Sequence, residues 1–182
     1  AGSVVSVFSP IYSDIVDLRS MTAEAALDKI SEISPAFASC LSRSCDPIAE
    51  LAAGRPSSTD ALLVMYQLNT VLLFLHAGNV GAAEGGNDFS FIRQSFALEL
   101  VKLGVEIDLT DAEELGNVFV AAWKGAFSPN SASVSAVANA AAHMNDLIEM
   151  NVNSPLVSPQ NIQKNLNGIA AACQSSVYLA VQ

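Results

Sequence analysis

One stretch constrains the fold of this chain more than any other: residues 57–78, SSTDALLVMYQLNTVLLFLHAG. Ser57, Ser58 and Thr59 offer N-cap hydroxyls, and Asp60 places a negative charge in the first turn, where the helix dipole favours it. Between Ala61 and Leu75 the polar side chains are Gln67, Asn69 and Thr70. A helix apolar on nearly every side must be surrounded by other helices or by lipid. The apolar run is shorter than the roughly 20 residues of a membrane span and is interrupted by amides. The expectation is therefore an all-α protein in which this segment is the central helix of a bundle.

The remaining helices follow from local signals. Pro10 suits a first helical turn with Ser9 as its N-cap, and Ile11, Ile15 and Leu18 then share a face over 10–19. Thr22 caps a second helix with a stripe of Ala26, Leu27, Ile30 and Ile33, and Pro35 demands a break near Ser34. Helix resumes over 36–41. Asp46 caps a short piece with Pro47 at its first position, which Gly54 ends. Residues 78–86, GNVGAAEGG, read as a glycine-rich loop following the central helix, with His76 at that helix's C-terminal end. No GxxxxGK[ST] lysine accompanies these glycines, so the loop lacks the chemistry of a phosphate cradle.

Asn87 or Asp88 caps the next helix, which carries Phe89, Ile92, Phe96, Leu100 and Leu103 and is closed by Gly104. Thr110 and Glu113 have capping-box spacing and start a helix that buries Leu115, Val118, Phe119, Ala122 and Trp123. After the turn Ser128-Pro129-Asn130, a helix runs with Val134, Val137, Ala141, Met144, Leu147 and Ile148 inward. A loop covers 151–157. Ser158 and Pro159 open a last helix carrying Ile162, Leu166, Ile169, Cys173 and Val177. Short connections between about seven helices describe a single domain over 1–182, packed as an antiparallel bundle.

The net charge of −10 argues against nucleic acid and against an anionic membrane surface as partners. The charged fraction is 14% against 51% apolar, so these carboxylates have the task of keeping an apolar protein soluble. Asp28, Glu84, Asp111, Glu113 and Glu114 are the carboxylates whose protonation would remove repulsion between like-charged faces, and they are the candidate association switch. At the start of a helix, Asp111, Glu113 and Glu114 also have a purely structural role with the dipole.

Three cysteines, Cys40, Cys45 and Cys173, fit either one disulfide plus one thiol or three reduced thiols; Cys40 and Cys45, five apart, are the candidate pair. Scarce lysine and abundant Ser, Ala and Asn point to a secreted protein. Neither His76 nor His143 has a second ligand at metal spacing, and no GxSxG or HExxH motif occurs, so no metal, cofactor or catalytic residue is assigned and no enzymatic activity is expected. Phe89, Phe91, Phe96, Phe119 and Trp123 are candidates to line a cavity for an apolar ligand such as a lipid.

From Met21 onward the chain resembles the helical N-terminal domain of spider silk proteins, the spidroins. The resemblance is carried by Met21-Thr22-Ala23 with Leu27-Asp28, by AELAAGRPSST over 49–59 leading into the apolar helix, and by AAEGG over 82–86 after it. It covers about residues 21–126. It implies a non-enzymatic structural domain that self-associates, with homodimer or higher assembly as its partner state. Asp60 stands where the family has a lysine of its pH-dependent dimer switch, and Lys29 stands where it has a second aspartate. Two additional helices follow Phe127. The family's own switch residues are therefore not carried over to this chain.

Overall fold

The computed structural model describes residues 8–43, 45–54, 58–82, 89–123, 131–154, 161–162, 164–165 and 168. Eight helices make up most of these residues: α1 (Phe8–Arg19), α2 (Ala23–Ile33), α3 (Pro35–Ser42), α4 (Pro47–Ala52), α5 (Ser58–Ala82), α6 (Phe89–Leu103), α7 (Ala112–Trp123) and α8 (Ser131–Val152). No strand occurs among the described residues. The architecture is an all-α bundle, with eight helices among the described residues against an expectation of about seven for the chain.

Helix α5 is its axis, packed against α3, α4, α6, α7 and α8. Leu62, Val71, Leu72, Phe74 and Leu75 are fully buried along it, as an all-round apolar helix requires. The helix is longer than its sequence signals suggest. Its segment Thr59–Gly78 is long and apolar enough to cross a membrane, which corrects the expectation of a run too short to span, yet 56% of that segment is buried inside the protein. Helical neighbours, rather than shortness, account for its composition.

Local capping chemistry explains most boundaries. The Thr22 hydroxyl accepts from the Ala25 amide at 3.2 Å and opens α2. Ser34 ends α2 with its amide bonded to the Ile30 carbonyl and opens α3 with its hydroxyl accepting from the Phe37 amide, while Pro35 occupies the first turn of α3. The break expected at Ser34 is thus a hinge made by one capping residue. The Asp46 carboxylate accepts from the amides of Ile48 and Ala49, with Pro47 at the start of α4. Gly54 lies past the end of α4 at φ +68°, and Gly104 past the end of α6 at φ +61°, in the left-handed region that glycine enters without penalty.

Several boundaries differ from expectation. Helix α1 begins at Phe8, so Ser9 lies inside it and does not cap it; Pro10 is still in the first turn, where its missing N–H costs nothing. The Phe8 ring stacks on Phe37 with centroids 4.3 Å apart. Leu18, expected on the buried face, is exposed, as is Leu103. Helix α5 continues six residues beyond His76, so His76 is not at its end, and residues 78–82 of the expected glycine loop are helical. Helix α8 reaches Val152, two residues into the expected loop. The Asn87/Asp88 cap, the turn 128–130 and most of the helix expected after Pro159 lie outside the described residues.

Cys40 and Cys45 are joined by a disulfide that spans the α3–α4 corner, with Cα atoms 5.0 Å apart. The loop it closes is short, so the chain-entropy contribution is about 2 kcal/mol. Replacing both cysteines by alanine is expected to lower stability by about that amount, read as a lower denaturant midpoint at unchanged slope. An unchanged midpoint would mean that α3 and α4 hold the corner without the bridge.

Candidate functional site

Two surface concavities are lined by described residues throughout. The larger is a cleft of about 450 Å³ at the corner where α2, α3, α5 and α6 meet the α6–α7 connection. Its floor is apolar: Ile33 and Phe37 from one side, Leu63, Val64 and Leu68 from α5, and Leu100 from α6. Its edge is acidic, with Glu106, Asp108, Glu114 and Glu149. No described Lys or Arg lines it.

The connection forming that edge is held by its own polar groups. The Asp108 carboxylate accepts from the Thr110 amide at 2.8 Å and from the Thr110 hydroxyl at 2.6 Å. Asp111 accepts from the amides of Glu113 at 2.7 Å and Glu114 at 3.0 Å, so Asp111 is the cap of α7. Glu114 reaches back to accept from the Asp108 amide at 2.9 Å. This corrects the expected Thr110/Glu113 capping box. The Thr110 hydroxyl is spent as a donor to Asp108, and a carboxylate accepts amide hydrogens more strongly than a hydroxyl does. Fully buried Asn145, on α8, donates to the Leu109 carbonyl at 2.6 Å and fastens the connection to the bundle.

The second concavity is a trough of about 440 Å³ between α7 and α8. Small and polar residues line it: Gly116 and Asn117 from α7, Ser131, Ser135 and Asn139 from α8. Val120, 47% exposed, is part of the lining, and Glu113 is its titratable side chain.

The residues singled out in sequence are divided among these surfaces. Glu113 faces the trough and Glu114 faces the cleft, so the acidic trio at the start of α7 does not act on one face. Asp111 is exposed and committed to the cap, and Asp28, exposed on α2, lines neither concavity. Glu84 and Cys173 lie outside the described residues. Sequence reasoning missed Gln67, Glu106, Asp108 and Glu149; the alternation of acid and apolar residues in Glu106-Ile107-Asp108-Leu109 was the available signal.

Among the described residues, Phe91, Phe96, Phe119 and Trp123 line neither of these two concavities. Phe96, Phe119 and Trp123 are buried in the core; Phe119 and Trp123 pack with centroids 5.4 Å apart, and the indole N–H of Trp123 donates to the Leu75 carbonyl at 2.9 Å. Phe91 is exposed, and the Phe89 side chain lies outside the described residues. Burial pushes the Tyr66 phenol above its ordinary value of 10.0, so it stays neutral through the physiological range. Among the described residues, no three His, Cys, Asp or Glu side chains come together in a way that could hold a metal ion. His143 is exposed on α8. No protein-family model, no curated protein and no solved structure matches the chain.

Proposed function

We propose that this chain is a non-enzymatic, secreted assembly domain, silk-like in kind, that associates with copies of itself through the α7–α8 face. The observation that carries the reading is a trough on one face whose lining combines an exposed apolar side chain, Val120, with the small residues Gly116, Ser131 and Ser135. An apolar side chain and a trough on the same surface suit an isologous two-fold contact, in which each Val120 meets the other copy's trough. Small residues such as Gly116, Ser131 and Ser135 let another helix approach closely. The Cys40–Cys45 disulfide supports action in an oxidising compartment outside the cell.

Glu113 supplies the control. A two-fold contact brings one Glu113 from each copy to the interface, and two like charges there oppose association. Light scattering at pH 7.5 is therefore expected to record more dimer at 0.5 M than at 0.02 M salt, which screens the two charges. Glu113→Gln should raise the dimer fraction at low salt, and Val120→Asp should leave monomer at both. A monomer at both salt concentrations over the whole accessible protein range would overturn the reading, as would a dimer indifferent to Val120→Asp. The alternative of an interior carrier for an apolar molecule has less support, because Phe96, Phe119 and Trp123 are spent on the core.

A further inference from the structure

We infer that the acidic cleft between α5 and the α6–α7 connection is a binding site for a small amphipathic organic cation: an ammonium group on an apolar body whose far end carries a hydroxyl or similar hydrogen-bonding group. Three independent features define that chemistry. The first is charge. Of the four carboxylates on the edge, Asp108 and Glu114 are engaged in holding the connection together. Glu106 and Glu149 have no ion pair and no side-chain hydrogen bond among the described residues. They remain available to a ligand, and no basic side chain of the described lining competes for them.

The second feature is the floor. Half-buried Leu63 and Val64 lie within one turn and a half of Leu68 on α5, and with Phe37 and Leu100 behind them they make the floor apolar. A cleft of about 450 Å³ lies within the size range of small-molecule sites.

The third feature is Gln67. It sits in the middle of that apolar row, only 6% exposed, lines the cleft, and makes no hydrogen bond to any described residue. The amide opens into the cleft, where water satisfies it in the free protein, and a ligand that displaces that water has to replace its hydrogen bonds. The ligand therefore needs a polar group at its buried end as well as a charge at its exposed end.

The spread of the carboxylates selects the kind of cation. They do not converge closely enough to coordinate a metal ion. An ammonium on an organic body needs only one of these carboxylates at the edge while its body covers the floor. The site does not depend on the proposed self-association, since none of its lining residues belongs to the α7–α8 trough.

Titration calorimetry of the full chain with tyramine tests the inference, because tyramine carries an ammonium, an aryl body and a terminal phenol. Saturable binding is expected at neutral pH and low salt. 4-Ethylphenol, which lacks the charge, should bind about tenfold more weakly, as should tyramine to the double variant Glu106→Gln/Glu149→Gln. 2-Phenylethylamine, which lacks the phenol, should bind several-fold more weakly than tyramine, and Gln67→Leu should erase that difference. Both rim positions are at least partly solvent-exposed, so the double variant keeps its fold, checked by its thermal melt. Val120→Asp should bind tyramine as the parent does, which separates this inference from the assembly reading. No heat at millimolar tyramine would overturn it. Equal affinity for tyramine and 4-ethylphenol would also overturn it, making the cleft a plain apolar surface, and so would binding unaffected by the rim substitutions.

Discussion

Trp123→Ala is expected to lower the stability of the protein by about 3–5 kcal/mol. Among the described residues this side chain is the largest of the fully buried ones, and it ties the end of α7 to the middle of α5. Its removal opens a cavity and leaves the Leu75 carbonyl without its indole donor. For a chain of this length the loss corresponds to roughly 10 °C in Tm, measurable by far-UV circular dichroism. A change below about 1 kcal/mol would mean that the bundle collapses around the gap, and that α7 is held by α6 and α8 alone.

Gly78→Ala probes the same contact from the opposite side. A Cβ at Gly78 would stand 2.8 Å from Trp123 Cη2 and closer still to Cζ2. The indole cannot swing away without losing its bond to Leu75 and its packing on Phe119. Helix propensity alone would favour alanine by about 1 kcal/mol. Overpacking of a rigid core costs about 1–3 kcal/mol and should win, so the variant is expected to be less stable than the parent. Gly116→Ala is the control: its Cβ would meet Ala138 at 3.8 Å and Val134 at 3.9 Å, ordinary contact distances, and stability should rise by about 0.5–1 kcal/mol. The opposite ordering of the two variants would show that the Trp123–Gly78 contact is soft.

Asp14→Ala should cost about 2–4 kcal/mol. Asp14 on α1 accepts from Arg93 Nε at 2.6 Å and from a second guanidinium nitrogen at 3.2 Å on α6. The carboxylate is 8% exposed and the guanidinium 23%, so the pair is shielded from the screening that makes surface ion pairs weak. Removing the carboxylate takes both of these hydrogen bonds from a largely covered guanidinium. The net worth of the pair is smaller than that cost, because both charges were desolvated to make it. Replacing both residues by leucine and methionine should therefore recover most of the loss. Urea melts of the parent, the single variant and the double variant separate the two quantities. A single variant within about 0.5 kcal/mol of the parent, the size of an ordinary surface change, would show that water reaches the pair.

The parts of the fold legible in sequence are those decided within one turn of chain. Thr22, Ser34-Pro35 and Asp46-Pro47 mark their helix starts because a side chain two or three residues away from an amide either caps it or does not. The inward stripes of α7 and α8 were legible because the helical period places Leu115, Val118, Phe119 and Trp123, or Val134, Val137, Ala141 and Ile148, on one side whatever they meet. Thr110 shows where this fails even locally: its hydroxyl had two roles available, and the nearby Asp108 carboxylate chose between them.

The amino-acid sequence by itself determined that this is an all-α protein built on one apolar helix that helices or lipid must surround, and the tertiary structure decided that helices do. Tertiary structure alone decided the rest. Gly78 reads as a loop glycine until Trp123, far along the chain, is seen to occupy the space of its missing side chain. Leu18 keeps the helical period yet stays exposed, because none of the described helices covers it. The division of Glu113 and Glu114 between trough and cleft follows from which helices flank α7 on each side. The cleft itself joins Gln67 to Glu106 and Glu149 across three separate segments. Such a site has no local signature, because its chemistry arises from the packing angle between helices and from no spacing along the chain.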